Sequence, residues 1–309
     1  MSFIINSPHF LISYMHFYSD HRKKILTKKS WIFAGLGVPL LLVAWMGIAF
    51  IRADILQLSY LVNLMYFLVG WHYVKQVFGC MVITAQRSNY AIEPKLRRGI
   101  KLNLYGLWAL TYFATNHTVH KYDFYSLKYA TFSLPKELFY ASYVFVGLSL
   151  GYVLYLVVKQ YVEQGRWMPV NTATPFVAIY TWYIPAFYHP AFLLLVPAFH
   201  SLQYLLFSIT FTKNRILDEK SRGESNAKTI RAKFIKNFGA YLVSAILLGA
   251  LFFEFVPKSL DHFFDTNLDS QSSTLIAACF VLFINIHHYF IDHVIWRGSL
   301  PEVRKYLLR

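Results

Sequence analysis

Cysteine is nearly absent from this chain. The two present, Cys80 and Cys279, show no CxxC spacing and no disulfide pattern. That excludes a disulfide framework and a cysteine-ligated iron–sulfur cluster. Charge is scarce as well, at 15% of residues, where a soluble domain carries about 25%. With 56% hydrophobic and 19% aromatic residues and a mean hydropathy of +0.39, a soluble globule is excluded. Acidic residues are the scarcest charge: 15 Asp+Glu against 30 Lys+Arg leave a net +15. In a soluble chain that balance points to nucleic acid. Here no nucleic-acid-binding module is visible and the cations sit between apolar runs, so they set topology and no nucleic-acid partner is expected. Internal repeats of transporter type are missing too. No basic n-region precedes the first apolar stretch, so no cleavable signal peptide is expected.

What is present is a series of apolar runs. About 20 apolar residues cross a bilayer. Spans are expected near 3–21, 31–51, 55–79, 102–116, 137–158, 171–188, 190–212, 237–256 and 273–296. The first is weak because it carries His9, His16 and Asp20. A tight hairpin is expected at Tyr188-His189-Pro190, where proline suits a helix start. With alternating spans, one side collects 24 Lys+Arg in segments 22–30, 80–101, 159–170, 213–236 and 297–309, and the other side collects 5. The imbalance predicts an all-α polytopic transmembrane bundle of eight or nine spans with a cytoplasmic C-terminus. In the eight-span version residues 1–21 lie on the inner surface. The chain reads as one integral membrane domain, 1–309, with a basic cytoplasmic linker near 213–236.

Twelve histidines are distributed unevenly. His21 lies at a membrane edge, and His117, His120, His189 and His262 near the outer surface. His9, His16, His72, His200, His287, His288 and His293 fall inside spans. Counted at about 1.5 Å per residue, all of these but His293 lie roughly 8–18 Å from the cytoplasmic edge. Four helices therefore bring imidazole to one band of depth. Ionisable groups inside a span are a functional-site hypothesis. His9 and His16 share a helix face, and so do His288 and Asp292, four residues apart. Gln76 follows His72, and Gln203 and Tyr204 follow His200, on the same faces. Neutral imidazole is the commonest metal ligand and is cheaper to bury than a charge. The set points to a metal site among helices. Each histidine alone reads as a hydrogen-bonded core residue. Asn116-His117-Thr118 also matches a glycosylation sequon by pattern.

The histidine motifs and their order are similar to those of the bacterial membrane-bound carotenoid-cleaving dioxygenases, the bacterio-opsin-related protein family. Four stretches carry the resemblance: Pro8-His9-Phe10, Trp71-His72-Tyr73, Phe199-His200-Ser201, and His288 through Asp292 to Arg297. Departures are Phe10 and Ser13 in the first, Val77 after the second, and Tyr204 where the family's third motif has a second histidine. The resemblance implies a non-haem iron centre with histidine ligands from several helices.

Histidine sites with open positions suit Fe(II) and O₂. The expected ligands are His9, His72, His200 and His288, with His16 and His287 in reserve. Asp292 is expected to orient a ligand, and Tyr204 and Gln76 to line the pocket. The expected function is a membrane-embedded non-haem iron oxygenase acting with O₂ on a lipophilic substrate reached from membrane lipid. Copper and haem are the lesser cofactor alternatives. The paired histidine boxes of membrane desaturases and hydroxylases are missing. Competing readings are a haem-binding electron-transfer protein, with His72 and His200 as axial ligands, and a transporter with a His288, Asp292 and Lys75 relay. The last alternative is a non-catalytic membrane partner.

Overall fold

The computed structural model describes residues 6–118, 123–124, 127–188, 195–221, 227–263 and 275–308. They are almost entirely helical, in keeping with the all-α expectation. Two two-residue strands, Asp123–Phe124 and Leu127–Lys128, form the sheet among the described residues. Among the described residues, five stretches are long and apolar enough to cross a membrane: Lys29–Ile51, Ile55–Arg87, Lys136–Gln164, Phe238–Ser259 and Leu275–Ile295. The other four expected spans fall in helices that are shorter or more polar. The helix Pro94–Thr118, for instance, opens with Lys95, Arg97, Arg98 and Lys101. The expected turn at His189-Pro190 lies outside the described residues.

The chain divides into two compact units. One comprises Met1–Leu58, Phe124–Leu127 and Pro197–Arg309; the other comprises Ser59–Asp123 and Lys128–Val196.

The first unit begins with α1 (Ser7–Met15), whose proline stands in the first turn, where its missing N–H costs nothing. A π-helical turn over His16–Asp20 follows, then α2 (Arg22–Ile25) and α3 (Lys29–Ile32). A second π turn, Phe33–Gly37, leads into α4 (Val38–Ile51). Next in the chain come α5 (Ile55–Arg87), α6 (Pro94–Thr118), α7 (Lys136–Gln164) and α8 (Val170–Tyr188), which belong mainly to the second unit. The first unit resumes in α9 (Leu195–Ser221), α10 (Ala227–Ala250), a π turn at Leu251–Phe255, α11 (Val256–Phe263), α12 (Leu275–Ile295) and α13 (Pro301–Leu307). α1 packs against α10 and α12. At the first of these contacts a Cβ on Gly249 would stand 2.7 Å from Ser7 Cβ, so glycine is what lets the two helices approach.

The basic segment near 213–236 is helical at both ends. α9 continues to Ser221 and α10 begins at Ala227, so helix runs into both ends of it. Arg, Lys, Glu and Ala are good helix formers. The helix is also anchored: Asn214 donates to the Tyr306 carbonyl at 2.6 Å, and Lys305 pairs with Asp218.

In the second unit α6 packs along α7. Val77, Met81, Leu96, Ile100, Leu104, Val153 and Ile179 are buried in one cluster. A Cβ on Gly106 would meet the Phe145 ring at 2.6 Å. Fully buried Asn103 donates to the Val146 carbonyl and Ser149 Oγ and accepts from the Tyr180 hydroxyl. Such a network satisfies polar groups that lipid cannot. Asn116 plays a similar part. It is 1% exposed, its Nδ2 donates to the Tyr112 carbonyl, and its Oδ1 accepts from Asn63 and the Phe132 N–H. The sequon match is thus a structural amide with no exposed nitrogen to glycosylate.

Candidate metal centre

Three helices of the first unit each contribute one buried imidazole. His9 sits in the first turn of α1, His200 near the start of α9 and His288 in the second half of α12, and none is more than 2% exposed. One ring nitrogen from each lies within 4.8 Å of the others. The His9 ring centroid is 5.0 Å from that of His200 and 4.5 Å from that of His288, edge to face in both cases. Imidazoles that merely filled space could avoid presenting nitrogens to one another.

The carboxylate of Asp292 belongs to the same place. Its Oδ2 is 3.4 Å from His288 Nε2 and 3.9 Å from His9 Nε2. The four-residue spacing sets His288 and Asp292 on one face of α12. A buried carboxylate is costly without cationic company. His9 Nε2 is buried and makes no hydrogen bond among the described residues. Imidazole nitrogens gathered beside a carboxylate are the donor set a divalent transition ion takes. The residues fit such an ion.

A shell of side chains holds His9. Ser201 Oγ lies 3.2 Å from His9 Nδ1 and donates to Asn6 Oδ1 at 2.9 Å. The Tyr204 ring sits edge-on to His9 at 4.3 Å, and its hydroxyl is 2.7 Å from Ser13 Oγ. Phe10 covers His288 at 4.5 Å. From its place four residues after His200, Tyr204 is expected to line a pocket. The structure places its hydroxyl on Ser13 and its ring against His9, where it fixes the imidazole's orientation. Ser201, Asn6 and Ser13 were assigned no role from sequence. The one local signal is a hydroxyl or amide within four residues of a histidine.

The reserve histidines stand elsewhere. His287 is one residue from His288 and points to another face of α12. Its Nε2 donates to the Ala34 carbonyl at 3.0 Å, and its Nδ1 accepts from the Tyr14 hydroxyl at 2.8 Å. Both nitrogens are thereby engaged, and His287 lies outside the group of clustered imidazoles. His16 packs edge-on against Phe211 and Trp296 at 5.6 and 5.7 Å, beside a cavity of about 10 Å³, and lies outside the group. His72 belongs to the second unit, buried on α5 with its ring 6.1 Å from Tyr73. Gln76, on the next turn of α5, is half-buried. Lys75 lies over the Trp71 ring at 5.4 Å.

Of the remaining histidines, His21 packs on Trp31, His117 on Phe139 and His262 on Phe263, as aromatic side chains do at helix ends. His293 is half-buried near the end of α12. His120 and His189 lie outside the described residues.

No protein-family model, no curated protein and no solved structure matches this chain.

Proposed function

We propose that this protein is a membrane-embedded, metal-dependent oxidoreductase that uses O₂ on a lipophilic substrate. One observation carries the reading: three buried imidazoles from three helices present nitrogens within 4.8 Å of one another, with a carboxylate beside them. Of the site's helices, α12 is long and apolar enough to cross a membrane, as is the stretch Phe238–Ser259 that begins in α10, against which α1 packs, and ionisable side chains in such a setting are expensive and mark function.

His9, His200 and His288 would hold the ion, with Fe(II) favoured over copper by the neutral nitrogen and carboxylate donors. When bound, such an ion supplies O₂ chemistry at open positions. Asp292, with its Oδ2 3.4 Å from His288 Nε2 and 3.9 Å from His9 Nε2, offsets the cation's charge. Tyr204 braces His9. The aromatic wall of Phe10 and Tyr204 keeps water from the imidazoles. A lipophilic substrate belongs to this reading because a site buried among membrane-spanning helices would be reached from lipid. The resemblance of the histidine motifs to the bacterio-opsin-related carotenoid-cleaving dioxygenases belongs to the same reading, as do eight or nine spans, a cytoplasmic C-terminus and a bacterial inner membrane. The sequence also names His72 as a ligand, and its substitution decides that part.

The test is metal analysis of the detergent-purified chain and of His9→Ala, His72→Ala, His200→Ala and His288→Ala. About one iron per chain and no porphyrin absorbance in the wild type is the expected result, with the iron lost when His9, His200 or His288 is replaced. Iron retained in His9→Ala, His200→Ala and His288→Ala alike, or a Soret band, overturns it.

A further inference from the structure

Neutral imidazole has two tautomers, and only the nitrogen without the proton can bind a metal. Which one His9 adopts is decided by what its other nitrogen touches. Ser201 Oγ is 3.2 Å from His9 Nδ1. A hydroxyl has one proton, and Ser201 donates it to Asn6 Oδ1 at 2.9 Å. Toward His9 it can then act only as an acceptor. Nδ1 must carry the ring proton, which leaves the lone pair on Nε2. That is the atom with no hydrogen bond among the described residues, and it lies 3.9 Å from the Asp292 carboxylate.

We propose that Ser201 and Asn6 are positioning residues that lock His9 in the Nδ1-protonated tautomer and so present its Nε2 as a metal-binding atom. The value of this lock rests on the metal-centre reading; the tautomer rests on the hydrogen bonds alone. The relay is built from a helix start, because Asn6 precedes α1 and Ser201 follows His200 directly on α9. Burial strengthens it, since Ser201 is fully buried and has no water to accept from instead. The chain thus couples two histidines: the residue after His200 sets the tautomer of His9.

The tautomer is read directly by ¹⁵N NMR of the full-length, detergent-solubilised, metal-free protein labelled at histidine, with the His9 signals identified by their loss in His9→Ala. The expected spectrum has a pyrrole-type Nδ1 and a pyridine-type Nε2 for His9. Ser201→Ala should bring the two His9 signals toward each other as the tautomers mix, and Ser201→Thr, which keeps the hydroxyl, should restore the wild-type pair. Titration with Fe(II) alone should show about 10–100-fold weaker binding in Ser201→Ala and near wild-type binding in Ser201→Thr. Asn6→Asp, whose carboxylate can only accept, should keep the wild-type tautomer.

A wild-type spectrum with Nε2 protonated overturns the proposal, and so does a Ser201→Ala protein with unchanged tautomer and affinity. The wild-type spectrum decides by itself if Ser201→Ala does not fold. A wild-type protein with the expected tautomer that binds no Fe(II) upholds the lock and sinks the metal centre, so the two failures are separable.

Discussion

Replacing Gly249 by alanine should damage the candidate metal centre without touching any of its histidines. The added Cβ would stand 2.7 Å from Ser7 Cβ, where ordinary contact begins at 3.4 Å. α1 must therefore retreat from α10 by about 0.7 Å, because helix backbones at a packed face have little else to yield. His9 lies two residues beyond Ser7 on the same helix, and its ring centroid is only 4.5 Å from that of His288. Overpacking of this kind costs about 1–3 kcal/mol. A displacement near 1 Å in a site of this kind can cost on the order of 10²-fold. Two assays follow the effect: thermal unfolding in detergent, and iron bound per chain at fixed free Fe(II). Gly249→Ala should unfold earlier and bind iron at least tenfold more weakly. Adding Ser7→Gly removes the clashing atom and leaves the Ser7 carbonyl carbon and Cα at 3.4 and 3.6 Å from the new methyl, which is ordinary contact. The double variant should recover most of both losses, a coupling that a double-mutant cycle isolates. A Gly249→Ala protein equal to wild type, or a loss that Ser7→Gly does not relieve, refutes the reasoning.

Two further substitutions separate structure from chemistry. His287→Ala leaves the Tyr14 hydroxyl and the Ala34 carbonyl without their partner. It should cost about 1–3 kcal/mol in unfolding experiments yet keep its iron, and iron loss in a folded variant would return His287 to the ligand set. Glu302 bonds Lys24 at 2.8 and 2.9 Å, joining α13 to α2. Partial burial alone would raise its carboxyl pKa, but the Lys24 hydrogen bond and charge outweigh it and hold it below the usual 4.5. A carboxylate with a depressed folded pKa stabilises fully above its unfolded value and loses that contribution as pH falls through the folded one. Because the Glu302 side chain is 39% exposed, Glu302→Gln should cost under about 1 kcal/mol at pH 7. The difference from wild type should shrink below pH 4.5, and a gap that widens there contradicts the assignment.

Much of this arrangement is legible in the sequence. Pro8 before His9 marks a helix start, and the four-residue step from His288 to Asp292 puts both on one face whatever the tertiary structure. The shared depth of the histidines follows from counting residues along helices. What the sequence leaves open is rotation. His287 and His288 are equivalent in any depth count, and only the packing of α12 against α1 and the Phe33–Gly37 turn decides which one faces His9. The π turns themselves carry no clear local signature. Ser201 and Asn6 are 195 residues apart, so their hydrogen bond cannot be read from either neighbourhood. In the basic stretch near 213–236 charge predicts a water-exposed segment but is silent on helix, which enters it from both ends. The sequon at Asn116 misleads because a three-residue pattern has no information about burial.

X-ray absorption at the iron K edge of the reconstituted protein tests the central claim most directly. A first shell of nitrogen and oxygen, with the outer-shell scattering of three or more imidazoles and no sulfur, is the predicted spectrum, and it should lose imidazole scattering in His200→Ala. Iron bound through sulfur or a porphyrin, or a purified chain that takes up no stoichiometric iron, would contradict the account.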